Sequence, residues 1–568
     1  MQDNFYDCPY RLGHKQVEGR FVIPSGIRCT HASTIAKCFA EVPPVGVVTT
    51  KSISLAPRPG YREPIYARYA PGCYINAVGL ANPGAEAFLR EFDRIEIPPN
   101  KFLLVSVFGG NVADFVGAAE VLSPIADGYE LNMSCPHAKG FGASVGEDTE
   151  LVVAVTEAVV RVKDVPVFVK LSATLPRMEE TAKAVLRAGA SGITVTNTIG
   201  PAIAAVGEDA ILYNRKGGMS GDGIRPLGLR SVEQVREAVG PEPTVIGMGG
   251  IRTAEHVAQF RKAGADLFGV GSAMTGMDSA TMRSYFIRLE QQLTGRLPMS
   301  EDATPRGEIG MSYFTTRIVA RTAVTEKVFK IGLEELPRPY APGELAGKYF
   351  FLTVPGVGEK PFAIFSAAEK TVIVREVGVF TRFLKEAELG TRILLRGPYG
   401  APLPEWKNRM LVLVGGGTGT ASLLEIGRAC RKDNEVEFLL GARSRKEFYE
   451  LDLFREVGAV HLATDDGSAG HHGTAAGLVR EAIALRLRRR RDDLVFLNCG
   501  PEPMVHTCFE IERKLIPPER ILGAIEYMTS CGVGICGKCA SPSGSLTCID
   551  GPFLECEQFT PRRDIGSS

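Results

Sequence analysis

Near the end of the sequence, "SCGVGICGKCASPSGSLTC" (530–548) places four cysteines where they could hold a metal centre. Cys531, Cys536, Cys539 and Cys548 follow the spacing C-x4-C-x2-C, then eight residues, then the fourth cysteine. The first three match the spacing of one class of [2Fe–2S] centres, whose ligands are thiolates. Gly532, Gly534 and Gly537 lie between the ligands, where the backbone must wrap closely and aim N–H groups at sulfur. A structural zinc site is a competing reading, but zinc ribbons pair two short C-x2-C knuckles, and one gap here is four residues. An inert cysteine-rich loop is the third, and Cys556 falls outside the pattern. A one-electron centre needs neighbours that give and take electrons.

A second set of reactive residues lies in the first half. "ELNMSCPH" (130–137) carries Cys135, and a thiol of tuned pKa can accept a proton in catalysis. A lone cysteine in such a fold is otherwise core filler. Lys170 ends an apolar run, and a buried lysine suits a site where negative charge develops, although a structural salt bridge would look the same. Asn76, Asn132 and Asn197 carry amides that both donate and accept, which suits a planar ring with alternating C=O and N–H groups; a single Asn could equally be a turn residue. "GMGG" (247–250) and "GVGS" (269–272) offer backbone N–H groups to a phosphate. "GGGTGTASL" (415–423) follows an apolar run and opens a helical pattern, the arrangement of a nucleotide phosphate loop, though a tight strand–helix turn would look similar.

The elements that must position these residues are legible as alternating patterns. "VGVVTT" (45–50), "FLLVSVF" (102–108), "GYELNMS" (128–134), "VPVFVKLS" (165–172), "GITVTNT" (192–198), "PTVIGMGG" (243–250) and "LFGVGSA" (267–273) read as buried parallel strands. Helical stretches such as 150–163 and 179–189 lie between them. Repeated βα units predict a (β/α)8 barrel, with Lys51, Asn132, Cys135, Lys170, Asn197, Gly249 and Gly250 at the strand ends that form its active-site face. The polar stretch 295–310 reads as a linker. Alternating β runs with turns then predict a small antiparallel barrel, and from about 409 βα alternation returns. The predicted fold is therefore α/β. Its domains are a barrel (1–295), a linker (296–312), an antiparallel β-barrel (313–408), a nucleotide-binding α/β domain (409–522) and a cluster domain (523–568).

Length and charge narrow the function. The 568 residues suffice for three or four domains. Lys+Arg and Asp+Glu balance at 65 each, so no long-range field favours nucleic acid or an anionic membrane. The basic run "LRLRRRR" (485–491) follows an apolar helical pattern and reads as a solvated helix end. The N-terminal stretch lacks the apolar core of a signal peptide, and no apolar run is long enough to span a bilayer. The 13 cysteines are mostly scattered, as in a reduced cytoplasmic protein.

Beyond the residues themselves, the chain resembles known families in order. "GPYG" (397–400), "GVFTRFL" (378–384), "KPFAIFSA" (360–367) and "NCGPEPM" (498–504) are similar to elements of ferredoxin reductases. Followed by the cysteine pattern, residues 313–560 look like the electron-transfer subunit of NAD-dependent (class 1B) dihydroorotate dehydrogenases. "TTKSISLAPRPG" (49–60), "YINAVGLANPG" (74–84), "ELNMSCPH", "VFVKLS", "VTNTIG", "KGGMSGDGIRPLGLR" (216–230) and "IGMGGI" resemble the catalytic subunit of the same family. The resemblance implies a fusion of the two, oxidising dihydroorotate to orotate at FMN and passing electrons through [2Fe–2S] and FAD to NAD.

It also implies site roles. Cys135 would be the base, removing the C5 proton as hydride leaves C6. Lys51, Asn76, Gly79, Leu80, Asn132, His137, Asn197 and Thr198 would hold substrate. FMN would lie on Ser25, Gly26, Lys51, Ser52, Lys170, Gly221, Gly249, Gly250, Gly271 and Ser272. FAD would lie on Lys360, Pro361, Phe362 and Ala363, where Lys360 and Ala363 replace the usual Arg and Ser, and on Gly378 and Thr381. NAD(H) would lie on Gly416, Gly417 and Thr418. The resemblance further implies a homodimer formed through the barrel. His137 departs from the family, which has Asn there; histidine is the residue of dihydropyrimidine dehydrogenases, so reduction of uracil or thymine, or of another unsaturated ring, is the alternative activity.

Overall fold

The computed structural model describes residues 5–93, 95–134, 146–299, 310–485 and 487–560. They form two compact units. One gathers the described residues up to 299 with Val533–Ala540; the other gathers 310–532 and 541–560.

In the first unit eight parallel strands close a barrel in chain order. They are β1 (Phe21–Ile23), β2 (Val45–Thr49), β3 (Phe102–Val107), β4 (Gly128–Asn132), β5 (Val167–Leu171), β6 (Gly192–Val195), β7 (Thr244–Met248) and β8 (Leu267–Gly269). Every residue of β2 to β5 is buried, as expected of strands covered on both faces. β1 is the strand that the pattern of apolar runs did not reveal. It has three residues and is followed by Pro24, too short to show a period. Amphipathic helices cover the outside, and several are started by short polar side chains. Asn111, Asp148, Thr253 and Asp278 each accept a backbone N–H of the first turn.

The barrel interior is layered. At the end where the strands begin, Val22, Val47, Phe102, Leu104, Phe168, Ile246 and Leu267 form an apolar plug. The hairpin of Tyr10–Leu12 and Lys15–Val17 covers that end, adding Leu12 and Val17 to the same cluster. Lys15 pairs with Asp127 at 2.7 Å just before β4, and the Tyr10 hydroxyl meets Thr244 at 2.9 Å at the start of β7. At the opposite end the buried residues become polar: Thr49, Ser106, Glu130, Lys170 and Thr194. Insertions after β2 and β6 build a four-stranded antiparallel sheet from Tyr66–Ala70, Cys73–Asn76, Gly217–Gly221 and Ile199–Ala202.

The second unit contains two sheets. Six antiparallel strands run in the order Gly358–Ala363, Tyr349–Val354, Arg392–Tyr399, Phe314–Ala323, Val328–Leu333 and Thr371–Arg375. This is a half-barrel and not a closed one: the two edge strands approach each other without pairing. Pro361, which has no N–H to offer, lies on one of those edges. The second sheet is parallel through Ala459–Thr464, Glu435–Ala442, Met410–Gly416, Leu494–Cys499 and Ile521–Ala524. In chain order that is 3-2-1-4-5, a doubly wound arrangement whose order reverses beside the strand 410–416. Alternate residues of this strand serve opposite faces. Met410, Val412 and Val414 pack with the helices Ala475–Leu485 and Glu502–Glu512, while Leu411 and Leu413 pack with Thr420–Cys430. The basic run follows the first of these helices as a short turn, with Leu487 buried and Arg488 and Arg489 exposed. Among the described residues no helix is long and apolar enough to cross a membrane.

Candidate functional site

The C-terminal ends of the barrel strands and the antiparallel sheet above them enclose a cleft of about 1160 Å3, counting its open mouth. Ser25 and Gly26 enter it after β1, Lys51 and Ser52 after β2, and Asn132 from the end of β4. Lys170 enters from β5, and Asn197 and Thr198 after β6. Gly249 and Gly250 follow β7, and Gly271 and Ser272 follow β8. Asn76, Gly79, Leu80 and Gly221 come from the inserted segments. The cleft thus gathers every described residue that the sequence suggested for the barrel site. Cys135 and His137 lie outside the described residues.

The side chains are already interlinked. Asn132 donates to Ser52 Oγ at 2.8 Å and accepts from the Ser134 N–H at 3.3 Å. Asn197 donates to Ser134 Oγ at 3.0 Å, and its own carbonyl accepts from the Thr198 N–H at 2.7 Å. Two of the three asparagines therefore grip Ser134, the residue before Cys135. The third, Asn76, donates to the Gly218 carbonyl across the antiparallel sheet at 3.2 Å. Lys170 is 3.7 Å from Glu130 Oε1, so it both lines the cleft and forms a buried salt bridge. Close by, Cys29 is fully buried, and burial pushes its thiol up to about 11, with Lys51 opposing that rise. A thiol held neutral in this way is no nucleophile.

At the end of the cleft near β7 and β8 the backbone itself is the wall. Gly250 has φ +81°, and a Cβ there would lie 2.7 Å from Arg225 Cβ and 2.8 Å from the Gly221 carbonyl. Only glycine lets these segments meet, and the loops after strands 7 and 8 are where such barrels bind phosphate.

The sequence did not point to several lining residues. Tyr66, Thr196 and Ser220 join the wall, with the Tyr66 hydroxyl 2.8 Å from Thr275 Oγ1. Ile535 and Cys536 also line it. Their segment bonds to the barrel through the Arg28 N–H to the Ile535 carbonyl at 2.8 Å and Thr30 Oγ1 to the Cys536 carbonyl at 2.6 Å. No local pattern signals such a return of the chain. Glu130 had a usable signal: an acidic residue inside a wholly buried strand requires a partner.

In the second unit, Lys360, Pro361, Phe362 and Ala363 end the edge strand of the half-barrel. Gly378 caps the helix Val379–Glu386, and Thr381 Oγ1 accepts from the Gly378 N–H at 3.1 Å. The rings of Phe362 and Phe380 stack at 6.4 Å, which brings these two segments together. Gly416, Gly417 and Thr418 form the turn from the strand 410–416 into the helix 420–430, at the point where the strand order reverses. There Gly417 has φ +55°, and a Cβ on Gly419 would lie 2.6 Å from the Cys499 carbonyl. Glu425, on that helix, accepts the Gly343 N–H at 2.7 Å and the Ala367 N–H at 3.2 Å, tying the two sheets to each other.

All four cysteines of the 531–548 pattern are buried. Cys536 and Cys539 belong to the segment grouped with the barrel, Cys531 and Cys548 to the second unit. Gly532, Gly534 and Gly537 all have positive φ, between +69° and +78°, so the loop turns sharply at each. Among the described residues no three His, Cys, Asp or Glu side chains are gathered as a metal site. The Cys531 backbone is anchored by Arg396, whose guanidinium donates to its carbonyl at 2.8 Å while pairing with buried Glu359.

Comparison with known proteins identifies the first half. The family model for dihydroorotate dehydrogenase matches residues 10–293. A protein of Pyrococcus abyssi, "Dihydroorotate dehydrogenase B (NAD(+)), catalytic subunit", is 41% identical over 232 residues, which is 40% of this chain and 75% of that protein. A protein of Methanothermobacter thermautotrophicus with the same description is 38% identical over 258 residues, 44% of this chain and 82% of that protein. A solved structure of an NADH-dependent reduced ferredoxin–NADP oxidoreductase is 25% identical, covers 43% of this chain and 88% of its own, and has a TM-score of only 0.37. The chain, an oxidoreductase by that kinship, belongs to the dihydroorotate dehydrogenase family.

Proposed function

We propose that this chain oxidises dihydroorotate to orotate at an FMN held in the barrel cleft, and delivers the electrons through a [2Fe–2S] centre and FAD to NAD+. The observation that supports this most is the convergence of all the described barrel residues named by the resemblance on one cleft, in a chain whose relatives are described as NAD(+)-dependent catalytic subunits.

The residues present suit FMN. The glycine-walled end of the cleft offers N–H groups to a phosphate, and Lys170 offers a buried cation to a ring edge where negative charge develops. When bound, FMN supplies a hydride acceptor. Lys51 would hold the substrate carboxylate through charge-assisted bonds, each worth about 1.5–3 kcal/mol. Asn76, Asn132 and Asn197 would orient the ring, exchanging their present partners for its C=O and N–H groups. Asn132 and Asn197 also fix Ser134. Cys135 would accept the C5 proton, worth about 10²–10⁴-fold in rate.

Residues 360–363, 378 and 381 would hold FAD, and 416–418 the pyrophosphate of NAD(H) at a helix start. The four buried thiols match a [2Fe–2S] centre in number and kind, and their spacing supports that ligation; such a centre supplies one-electron transfer. A homodimer through the barrel and a cytoplasmic setting belong to the same proposal.

His137 favours a second reading, reduction of a uracil- or thymine-type ring, which lacks the carboxylate, to its dihydropyrimidine. Turnover with dihydroorotate and orotate, and with uracil and dihydrouracil, separates the two. Under the first reading His137→Asn keeps dihydroorotate turnover and Lys51→Met lowers its kcat/KM by about 10–100-fold, the loss of one to two such bonds. Uracil turnover that is lost in His137→Asn, with none on dihydroorotate in the wild type, would overturn it.

A further inference from the structure

Glu130, on β4, lies in the polar layer of the barrel just below the cleft and is wholly buried. Its Oε1 is 3.7 Å from Lys170 Nζ and accepts from Ser106 Oγ at 3.2 Å. Its Oε2 has no hydrogen-bond partner among the described residues. Ser106 Oγ is in turn 3.0 Å from Ser52 Oγ, which is 3.0 Å from Ser25 Oγ. Lys170, Ser52 and Ser25 line the cleft; Glu130 and Ser106 do not. A chain of hydrogen bonds therefore leaves the cleft wall at one serine and ends on a buried carboxylate, which faces a lysine of the wall as an ion pair.

Burying a carboxylate is costly, and a hydrophobic residue of similar volume would give the barrel a simpler core. The carboxylate touches nothing in the cleft, so its effect must pass through what it holds. Lysine is a point charge on a flexible four-carbon stem, and a fixed anion beside it selects one placement of its head. We propose that Glu130 is a positioning residue. It fixes the Lys170 ammonium at the cleft wall and offsets its charge, and through Lys170 it sets how readily a cofactor in the cleft takes up electrons. This rests on the reading of the cleft as an FMN site. With Glu130 neutralised, the lysine charge would act uncompensated on the negative charge that reduction creates, and the reduced form would gain.

The test is a redox titration of purified full-length holoenzyme, followed by flavin absorbance with and without orotate. The barrel flavin is the one whose wave orotate moves. Glu130→Gln is expected to shift that wave to more positive potential and to leave the other flavin wave in place. Glu130→Asp, which keeps the charge, should stay closer to wild type. In a Lys170→Met background the shift on adding Glu130→Gln should largely disappear. An unmoved wave in Glu130→Gln, or an equal shift with Lys170 already replaced, overturns the proposal. If orotate moves no flavin wave at all, the FMN reading of the barrel fails, and this inference with it. Should Glu130→Gln fold too poorly to titrate, the coupling is read from melting: Lys170→Met strands a buried carboxylate, so Lys170→Met/Glu130→Gln must melt higher than Lys170→Met alone. A double variant no more stable than the single one overturns the proposal.

Discussion

Replacing Arg396 by Met should loosen the cysteine loop from within the second unit. Arg396 and Glu359 expose 1% and 0% of their side chains. Arg396 Nε donates to Glu359 at 2.8 Å, and its terminal nitrogens reach the Tyr399 hydroxyl at 2.9 Å and the Cys531 carbonyl at 2.8 Å. Its guanidinium also lies 3.9 Å from the centre of the Phe351 ring. Burial works against its charge, but the Glu359 carboxylate together with the Tyr399 and Tyr313 hydroxyls outweighs that and holds the guanidinium firmly protonated. Breaking such a pair from one side costs about 3–5 kcal/mol, because the other charge stays buried. Glu359 Oε1 keeps the Thr353 hydroxyl at 2.5 Å and the Tyr313 hydroxyl at 3.4 Å, while Oε2 and the Cys531 carbonyl lose the guanidinium. For a unit of this size each kcal/mol moves the midpoint by about 2–4 °C, so calorimetry should show a loss of about 6–20 °C. Arg396→Met/Glu359→Leu should recover much of it, since no charge is then stranded. Iron content should fall in Arg396→Met, because the Cys531 backbone has lost its anchor. A melt within about 2 °C of wild type, or a double variant no better than the single one, would refute the reasoning.

Three further outcomes are expected. Glu512 is wholly buried, and burial pushes its carboxyl up to about 8 against the opposing bond from Asn498. The unfolded chain releases that proton near 4.3, so the associated stability is complete below that pH and is lost as pH rises toward 8. Glu512→Gln should therefore melt higher than wild type at pH 8.5, by a margin that shrinks toward pH 5; parallel melting profiles would contradict this. Cys539→Ser should lose most of the iron and the NAD-coupled activity while dihydroorotate still bleaches the barrel flavin in one turnover; purified protein that holds zinc and no iron would remove the relay. Gly250→Ala, strained at φ +81° and crowding the Gly221 carbonyl, should lower FMN content in released-flavin assays at a cost of about 1–2 kcal/mol or more, whereas retention of full FMN would contradict the phosphate placement.

The barrel was legible because parallel strands buried on both faces are continuous apolar runs, and its polar residues stand where those runs end. β1 was not, since Phe21–Ile23 is too short to carry a period. The half-barrel showed its strands but not its open seam, which depends on long-range closure between edges that no local pattern encodes. Lys51, Asn132, Lys170 and Asn197 could be placed at one face from strand ends alone. The grip of Asn132 and Asn197 on Ser134, and the approach of Ile535 and Cys536 to the cleft, are contacts between distant segments and had no such trace.

Mixing the purified protein anaerobically with dihydroorotate, then with NAD+, while following flavin absorbance and assaying orotate and NADH, tests the proposed electron route from end to end. Rapid flavin bleaching is expected, with orotate formed in step and NADH appearing in equal amount once NAD+ is added. Flavin that stays oxidised, with no orotate formed, would contradict it.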